Sequence, residues 1–281
     1  MTFEDTIHFK QLSFKGDSLC FVHANGYQPE AYHPLLSVFF DTFSVAWFKL
    51  RPLWPNIDSL SIDSWVQLAD DYYLFIQQNY KGPLVSMGHS VGAIVSLLVE
   101  IKYPGTFKSI ILLDPVLFPF ETRLGAFFYR SVIPFMGIVK QTYSRKIRFN
   151  SIEDVFVHYR SKSIFKWLSD ASLRHYIGCS FDVTDGGVIL NFSLEAERVV
   201  YLLAGSCFPF LWKSISQLSL PMLLVYANES VVCKHNDVHR FMILNPHLKV
   251  LSFSQCSHLL PLECPHKVGA MVHDYLVKLP S

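Results

Sequence analysis

A serine between two glycines, in Gly88-His89-Ser90-Val91-Gly92, is the feature of this sequence best suited to chemistry. An apolar run from Pro83 to Met87 precedes it, and a helix-forming run from Ala93 to Glu100 follows it. A G-x-S-x-G pattern between a strand and a helix predicts a sharp turn that exposes the serine hydroxyl. Glycines on both sides let the strand and the helix approach closely enough to form that turn. Ser90 is therefore the candidate nucleophile.

A serine hydroxyl attacks well only when a base accepts its proton, and a histidine oriented by a carboxylate is the usual base. Among the twelve histidines, His258 stands out because it follows the apolar run from Lys249 to Phe253 and precedes the last predicted helix. Strand ends at one edge of an open α/β sheet converge on a ligand crevice. We therefore expect His258 to be the base.

Two carboxylates compete for the third position. Asp114 ends a predicted strand that starts at Ser109, and Glu229 follows a predicted strand that starts at Met222. Both strand ends can reach the same histidine. Because the histidine needs a short, rigidly placed carboxylate, Asp114 is favoured and Glu229 is the alternative acid. A purely structural role for Asp114, in the turn that follows its strand, is the competing interpretation.

The elements that must position these residues alternate between short apolar strands and longer helical runs. This alternation is typical of a mostly parallel sheet with helices on both faces. The predicted strands are 19–22, 43–48, 84–87, 109–113, 222–226 and 249–253, and the predicted helices are 29–40, 62–79, 91–103, 235–244 and 266–277. From 115 to 214 the alternation stops, and an aromatic-rich stretch predicts an inserted helical cap. The core is then formed by 1–114 and 215–281.

Further segments resemble a known family. His23-Ala24-Asn25-Gly26 follows the first predicted strand, Leu112-Leu113-Asp114-Pro115 ends another, and Ser257-His258-Leu259-Leu260-Pro261 contains the candidate base. Together with the serine motif, they make the chain similar to the α/β-hydrolase superfamily over nearly its whole length. The order serine, acid, histidine is also the order used by that fold. The resemblance implies an α/β-hydrolase fold with an inserted cap.

The resemblance also implies an oxyanion hole and a substrate side of the site. The main-chain amides of Asn25 and Val91 are the expected oxyanion donors, although Ala24 stands where the family more often has glycine. His23, His89 and Trp54 are predicted to lie on the substrate side. For His23 a hydrogen bond that orients the loop is favoured over a catalytic role, and for Trp54 packing under the cap is the alternative.

The activity implied by the resemblance is that of a serine hydrolase, which cleaves carboxylic esters of apolar acyl or aryl groups through an acyl-enzyme. Such chemistry needs no cofactor and no metal. Thioesterases, lactonases and carbon–carbon bond hydrolases use the same residues and stay open, because they differ in the pocket. A binding module that has the fold but no catalytic function is the alternative from another class.

Composition limits the partners. The net charge of +1 gives no case for nucleic-acid binding. The range from Glu121 to Arg174 is rich in lysine and arginine, which would favour peripheral contact with anionic lipid or an anionic substrate. Six cysteines without C-x-x-C spacing favour free thiols, and the acidic first residues favour a cytoplasmic protein. The sequence leaves the oligomeric state, the acyl length and the leaving group open.

Overall fold

The computed structural model of the chain describes residues 8–119 and 137–279. The strands of these residues are β1 Phe9–Gln11, β2 Asp17–Val22, β3 Phe43–Phe48, β4 Leu84–His89, β5 Phe107–Leu113, β6 Arg148–Phe149, β7 Phe181–Thr184, β8 Gly187–Leu190, β9 Met222–Ala227 and β10 Leu248–Phe253. Their α-helices are α1 His33–Leu36, α2 Trp65–Asn79, α3 Val91–Lys102, α4 Gly137–Tyr143, α5 Ile152–Arg160, α6 Asp170–Ser180, α7 Leu194–Leu203, α8 Phe208–Ser214, α9 His235–Leu244, α10 Leu260–Glu263 and α11 Pro265–Leu276.

The central sheet has seven strands in the order β1-β3-β2-β4-β5-β9-β10. All neighbouring pairs are parallel except β1 with β3, which is antiparallel. The mostly parallel sheet with helices packed on it confirms the predicted fold class. The six predicted strands correspond to β2, β3, β4, β5, β9 and β10 within a few residues. The edge strand β1 was not predicted, since three residues are too few to show a period.

Two hydrophobic clusters cover the two faces of the sheet. One contains Trp65 and Phe75 of α2 with α3, and the other contains Phe39 and Trp47 with α11. Helix α3 is buried from Val91 to Glu100, which explains why its sequence is apolar on every side. This helix is therefore a fixed central element, and the residue at its N-terminus is held in place by both the sheet and the core.

The chain between β5 and β9 contains α4 to α8 and a second, three-stranded antiparallel sheet in the order β6-β8-β7. The sequence had predicted helices and turns here, and the small sheet was missed because its strands are only two to four residues long. Residues 120–136 of the predicted cap lie outside the described residues, and the division at 115 and 214 stays a prediction. Within the described part, Phe208 of α8 contacts Trp65 of α2 in the core.

Three general properties bear on function. In the part of the chain that the structure describes, no one helix combines the length and the apolar composition needed to cross a bilayer, whereas one bent pair, Leu194–Leu203 with Phe208–Gln217, meets both criteria jointly. All six cysteines are free thiols. Among residues 8–119 and 137–279, no group of three or more His, Cys, Asp or Glu is arranged to hold a metal ion.

The approach of α3 to the sheet leaves no room for a side chain at Gly92. A Cβ placed there would lie 2.2 Å from the carbonyl oxygen of Val22 and 2.7 Å from that of His23. We expect Gly92→Ala to lower the free energy of unfolding by about 1–3 kcal/mol, because helix and strand must separate. Urea unfolding measures this change. Gly82→Ala is the matched control, since a Cβ there meets no atom within 4 Å; equal stability of the two variants would contradict the prediction.

Candidate active site

Ser90 lies on the turn between β4 and α3 in a strained backbone conformation, with φ 57° and ψ −117°. Its N–H donates to the carbonyl oxygen of Leu113 at 3.0 Å, which ties the turn to the neighbouring strand. A Cβ at Gly88 would lie 2.4 Å from the main chain of Gly92, so both glycines are required by contact. The side chain of Ser90 does not cap the helix, so its hydroxyl is available for a hydrogen bond with His258.

Ser90, His258 and Asp114 form a hydrogen-bonded series. The Oγ of Ser90 lies 2.9 Å from Nε2 of His258, and Nδ1 of the same ring lies 2.7 Å from Oδ2 of Asp114. The carboxylate of Asp114 is fully buried. The structure therefore brings together the three side chains that the sequence analysis selected, although they come from three separate parts of the chain.

The carboxylate of Asp114 is held by the end of the adjacent strand, β9. Oδ1 accepts the N–H of Ala227 at 2.8 Å, and Oδ2 accepts the hydroxyl of Ser230 at 2.6 Å. The main-chain N–H of Asp114 donates to Val225 at 2.7 Å. Glu229, the alternative acid, is exposed on the turn beside Ser230. The structure thus places Asp114, and not Glu229, against the ring of His258.

Ser230 is a site residue that sequence reasoning missed. It lies in the turn after β9, and its hydroxyl donates to Asp114 at the end of β5. No local pattern indicates this contact, because a serine in a turn has many uses and the spacing of Ser230 does not point to Asp114.

The expected oxyanion donors are main-chain amides at the start of α3 and in the loop after β2. Val91 is the first residue of α3, where the N–H has no partner inside the helix. Asn25 follows β2 in a tight turn, closed by the N–H of Tyr27 donating to Ala24 at 3.3 Å. The side-chain amide of Asn25 donates to the carbonyl oxygen of Glu197 at 2.9 Å, which fixes this loop to α7. Their role as oxyanion donors stays a prediction.

His23 holds the loop after β2 to the end of β3. Its Nδ1 donates to the carbonyl oxygen of Ala24 at 2.7 Å, and its Nε2 accepts the N–H of Leu50 at 2.8 Å. The ring is buried, and burial lowers its pKa to about 3, so it stays neutral. Both ring nitrogens are occupied by main-chain groups, as the favoured loop-orienting role requires, and substrate contact by His23 stays a prediction.

His89 has a similar role on the other side of the site. Its Nε2 donates to the main-chain carbonyl oxygen of His258 at 2.8 Å, and its Nδ1 accepts the hydroxyl of Tyr32 at 2.7 Å. The ring is fully buried, and burial lowers its pKa well below 6.5. The ring thus holds the backbone of His258, and substrate contact by His89 stays a prediction. The tyrosine gave no signal in the sequence.

Trp54 lies in the wall of a cavity beside Lys49. Its indole N–H donates to the carbonyl oxygen of Lys49 at 2.7 Å, and the Arg51 guanidinium lies 4.7 Å from the ring centroid. The ring lines a cavity of about 600 Å³ whose described wall includes neither Ser90 nor His258. Substrate contact by Trp54 stays a prediction.

A buried ion pair lies against the loop that contains Asn25. Glu197 lies against Gly26, where a Cβ would come 2.7 Å from the carboxylate, and Gly26 has a positive φ of 75°. Arg145 donates to both carboxylate oxygens of Glu197, at 2.7 and 2.9 Å. Burial raises the pKa of Glu197, and the guanidinium opposes that rise. The pair comes from the predicted cap, so it was not visible from motifs around Ser90.

No protein-family model matches the chain, and its sequence similarity to a known protein is partial. Over 135 residues the chain is 31% identical to a type I acyl-CoA thioesterase of Penicillium brevicompactum, a match that covers 40% of this chain and 31% of that enzyme. The match thus spans about a third of the relative's length.

Solved structures are similar over nearly the whole chain. E-2-(acetamidomethylene)succinate hydrolase has a TM-score of 0.75 at 17% identity, covering 95% of this chain and 94% of that one. The thioesterase domain from the curacin biosynthetic pathway has a TM-score of 0.74 at 14% identity, covering 94% of each chain.

The sheet order, the strained serine turn and these structural similarities identify the chain as a protein of the α/β-hydrolase fold. The fold that the sequence resemblance predicted is therefore confirmed. At such identities the similarity establishes the fold, and the reaction has to be argued from the site.

His23 and His89 are buried and neutral, so we expect the folded protein to lose stability as the pH is lowered. An unfolded histidine binds a proton below about pH 6.5, whereas folded His23 does so only near pH 3. Unfolding therefore takes up protons, and stability falls as the pH is lowered from about 6.5 toward 3. We expect His23→Gln to reduce the slope of unfolding free energy against pH by about 1.4 kcal/mol per pH unit in this window. Urea unfolding between pH 7.5 and 5 tests this, and an unchanged slope would refute it.

We expect the buried Glu197–Arg145 pair to contribute more to the free energy of unfolding than an exposed ion pair does. Glu197→Gln leaves a largely buried guanidinium without its counter-charge, so we expect a loss of about 3 kcal/mol in unfolding free energy. Glu153→Gln removes the partner of Arg174 in an exposed pair and is the matched control. Thermal and urea unfolding compare the two variants. Similar losses would show that burial of the first pair has no energetic importance.

Proposed function

We propose that the protein is a serine hydrolase that cleaves a carboxylic ester or thioester through an acyl-enzyme on Ser90. The observation that carries this proposal is the hydrogen-bonded series from Ser90 through His258 to Asp114. It combines a nucleophile, a base and an acid in the geometry that proton transfer requires. A pure binding module would need none of the three in this arrangement.

In the first half of the reaction, Oγ of Ser90 attacks the substrate carbonyl carbon while Nε2 of His258 accepts the hydroxyl proton. The carbonyl oxygen becomes an oxyanion, and the amides of Asn25 and Val91 donate to it. Asp114 accepts from Nδ1 of His258 and stabilises the imidazolium. The carbon–oxygen or carbon–sulfur bond then breaks, and the leaving group takes the proton from Nε2.

In the second half, water attacks the acyl carbon and gives a proton to Nε2 of His258. The tetrahedral intermediate uses the same two oxyanion donors. Its collapse breaks the bond to Oγ of Ser90, which takes the proton back from Nε2, and the acid product leaves. The main-chain contact from His89 keeps the His258 ring in place through both halves.

The acyl or aryl group of the substrate is proposed to be largely apolar. Support comes from the aromatic side chains of the inserted segment, where Tyr159 packs with Phe165 and Tyr176. The match to an acyl-CoA thioesterase favours a thioester as the second candidate substrate. Lactonase and carbon–carbon bond hydrolase activities have no specific observation in their favour.

The remaining proposals concern the surroundings of the enzyme. A cytoplasmic location is proposed because all six cysteines are free thiols, which persist in a reducing compartment. Contact with anionic lipid through the basic range 121–174 also stays a proposal. Within the described part of that range, Arg145, Arg160 and Arg174 already pair with carboxylates. These pairs reduce the charge available to a membrane.

Hydrolysis of 4-nitrophenyl esters and N-acetylcysteamine thioesters of several acyl lengths tests the proposal. We expect Ser90→Ala to lower kcat by about 10⁴-fold or more, because the nucleophile is lost. Asp114→Asn should lower kcat by about 10⁴-fold, because His258 is left in the wrong tautomer. Both variants should keep the fold by circular dichroism.

Glu229→Gln is the matched carboxylate control, and its activity should equal that of the parent because Glu229 is exposed. A large loss in this variant, with none in Asp114→Asn, would move the acid to Glu229. A parent protein no faster than Ser90→Ala on every ester and thioester would overturn the proposed function. The ratio of ester to thioester rates then separates the two candidate substrates.

A further inference from the structure

A cavity of about 300 Å³ begins at the oxyanion loop, and nothing in the proposed reaction explains its lining. Gly26 and Tyr27, which directly follow Asn25, form one part of its wall. Arg145, Tyr159 and Lys162 form another part. A substrate bound at Ser90 with its oxyanion at Asn25 would therefore have this cavity next to it.

The charge of the wall is positive. Arg145 and Lys162 are its cations, Glu197 is its carboxylate, and His158 is its titratable neighbour. Arg145 and Glu197 form a bidentate pair whose charges offset each other, so the net positive charge of the wall comes from Lys162. Partial burial lowers the pKa of His158, and Lys162 and Lys146 lower it further. The electrostatic potential at the His158 ring is thus positive.

The wall also presents hydrogen-bond donors. Tyr159 is 5% exposed, and among residues 8–119 and 137–279 its hydroxyl has no hydrogen-bond partner. Buried tyrosine hydroxyls normally have one. A guanidinium has five N–H donors, and the pairing of Arg145 with Glu197 uses two of them. A ligand oxygen between Tyr159, Arg145 and Lys162 would satisfy these donors.

The rest of the lining is aromatic. Tyr27 and Tyr176 contact each other with ring centroids 5.3 Å apart, and Phe165 lies 5.4 Å from Tyr176. Such ring faces suit an apolar chain, whereas the cations suit a charged end. Pockets of this kind bind the apolar body of a ligand and fix its orientation by a few polar groups.

We propose that this cavity binds an anionic group of the substrate, held by Arg145, Lys162 and the hydroxyl of Tyr159. The inference rests on the proposed hydrolysis at Ser90 and adds the charge of the substrate to it. The anion has two sources with the same chemistry, a carboxylate at the far end of the acyl group or a phosphate on a thioester leaving group. The experiment distinguishes them.

The kinetic test compares substrates that carry an anionic group with matched substrates that lack it. Mono-4-nitrophenyl adipate against 4-nitrophenyl hexanoate tests an acyl carboxylate, and S-hexanoyl-4′-phosphopantetheine against S-hexanoylpantetheine tests a phosphorylated leaving group. In the parent we expect kcat/KM to favour the charged member of one pair by about tenfold or more. Lys162→Ala and Tyr159→Phe should each reduce that ratio. Equal rates within both pairs, or an unchanged ratio in both variants, would overturn the inference.

Lys166→Ala is the control, because Lys166 is an exposed lysine over the Trp167 ring and is not part of the described cavity wall. It should keep the parental rates and the parental ratio. A loss of ratio in this variant equal to that in Lys162→Ala would assign the preference to general surface charge and overturn the specific site.

A binding measurement separates failure of the inference from failure of the proposed hydrolysis. Ser90→Ala protein should bind the charged member of at least one of the two pairs without consuming it. An anion in the cavity should raise the pKa of His158, which a proton NMR titration of the ring measures, whereas the neutral ester should not. An unchanged pKa with the charged ester bound would place the anion elsewhere, whether or not the parent hydrolyses esters.

Discussion

The contact between α3 and the end of β2 is the constraint on which the site depends. Gly92 lies against the carbonyl oxygens of Val22 and His23, and Gly88 lies against the main chain of Gly92. These contacts admit no side chain, and they force the serine between them into a left-handed conformation. The buried helix and the parallel sheet then hold that strain in place. Without this close approach, Ser90 would not point toward the ends of β5 and β10.

The strand, turn and helix around Ser90 were predicted well because each of these elements carries a local sequence signal. Glycine spacing marked the turn, and the apolar runs marked β4, α3 and β5. The choice between Asp114 and Glu229 was harder, because both follow strands that end at the same edge of the sheet. The outcome depends on which carboxylate accepts hydrogen bonds from the end of β9 and the turn after it. Ala227 and Ser230 both donate to Asp114. Such contacts join distant parts of the chain, so no local pattern reveals them.

The histidines also have contacts with distant parts of the chain that local sequence patterns do not reveal. His23 and His89 each use both ring nitrogens to hold backbone or tyrosine groups, and these partners cannot be read from the motifs that contain the two histidines. The segment between β5 and β9 was harder to predict. Asp185 and Gly186 form the two-residue connection of the β7–β8 hairpin, a dipeptide that favours such turns. The flanking strands were too short to support that signal. The Glu197–Arg145 pair brings together side chains far apart in sequence, which no motif predicts.

The order of the site residues along the chain has a consequence for biosynthesis. Ser90 and Asp114 lie on β4–α3–β5, a contiguous unit whose two strands pair directly. The candidate nucleophile and the candidate acid therefore belong to one supersecondary element, whereas His258 follows the final strand of the sheet. On the ribosome, the first two groups emerge long before the ring that links them. The hydrogen-bonded series of the proposed hydrolase thus forms only after the last strand and helices have joined the sheet.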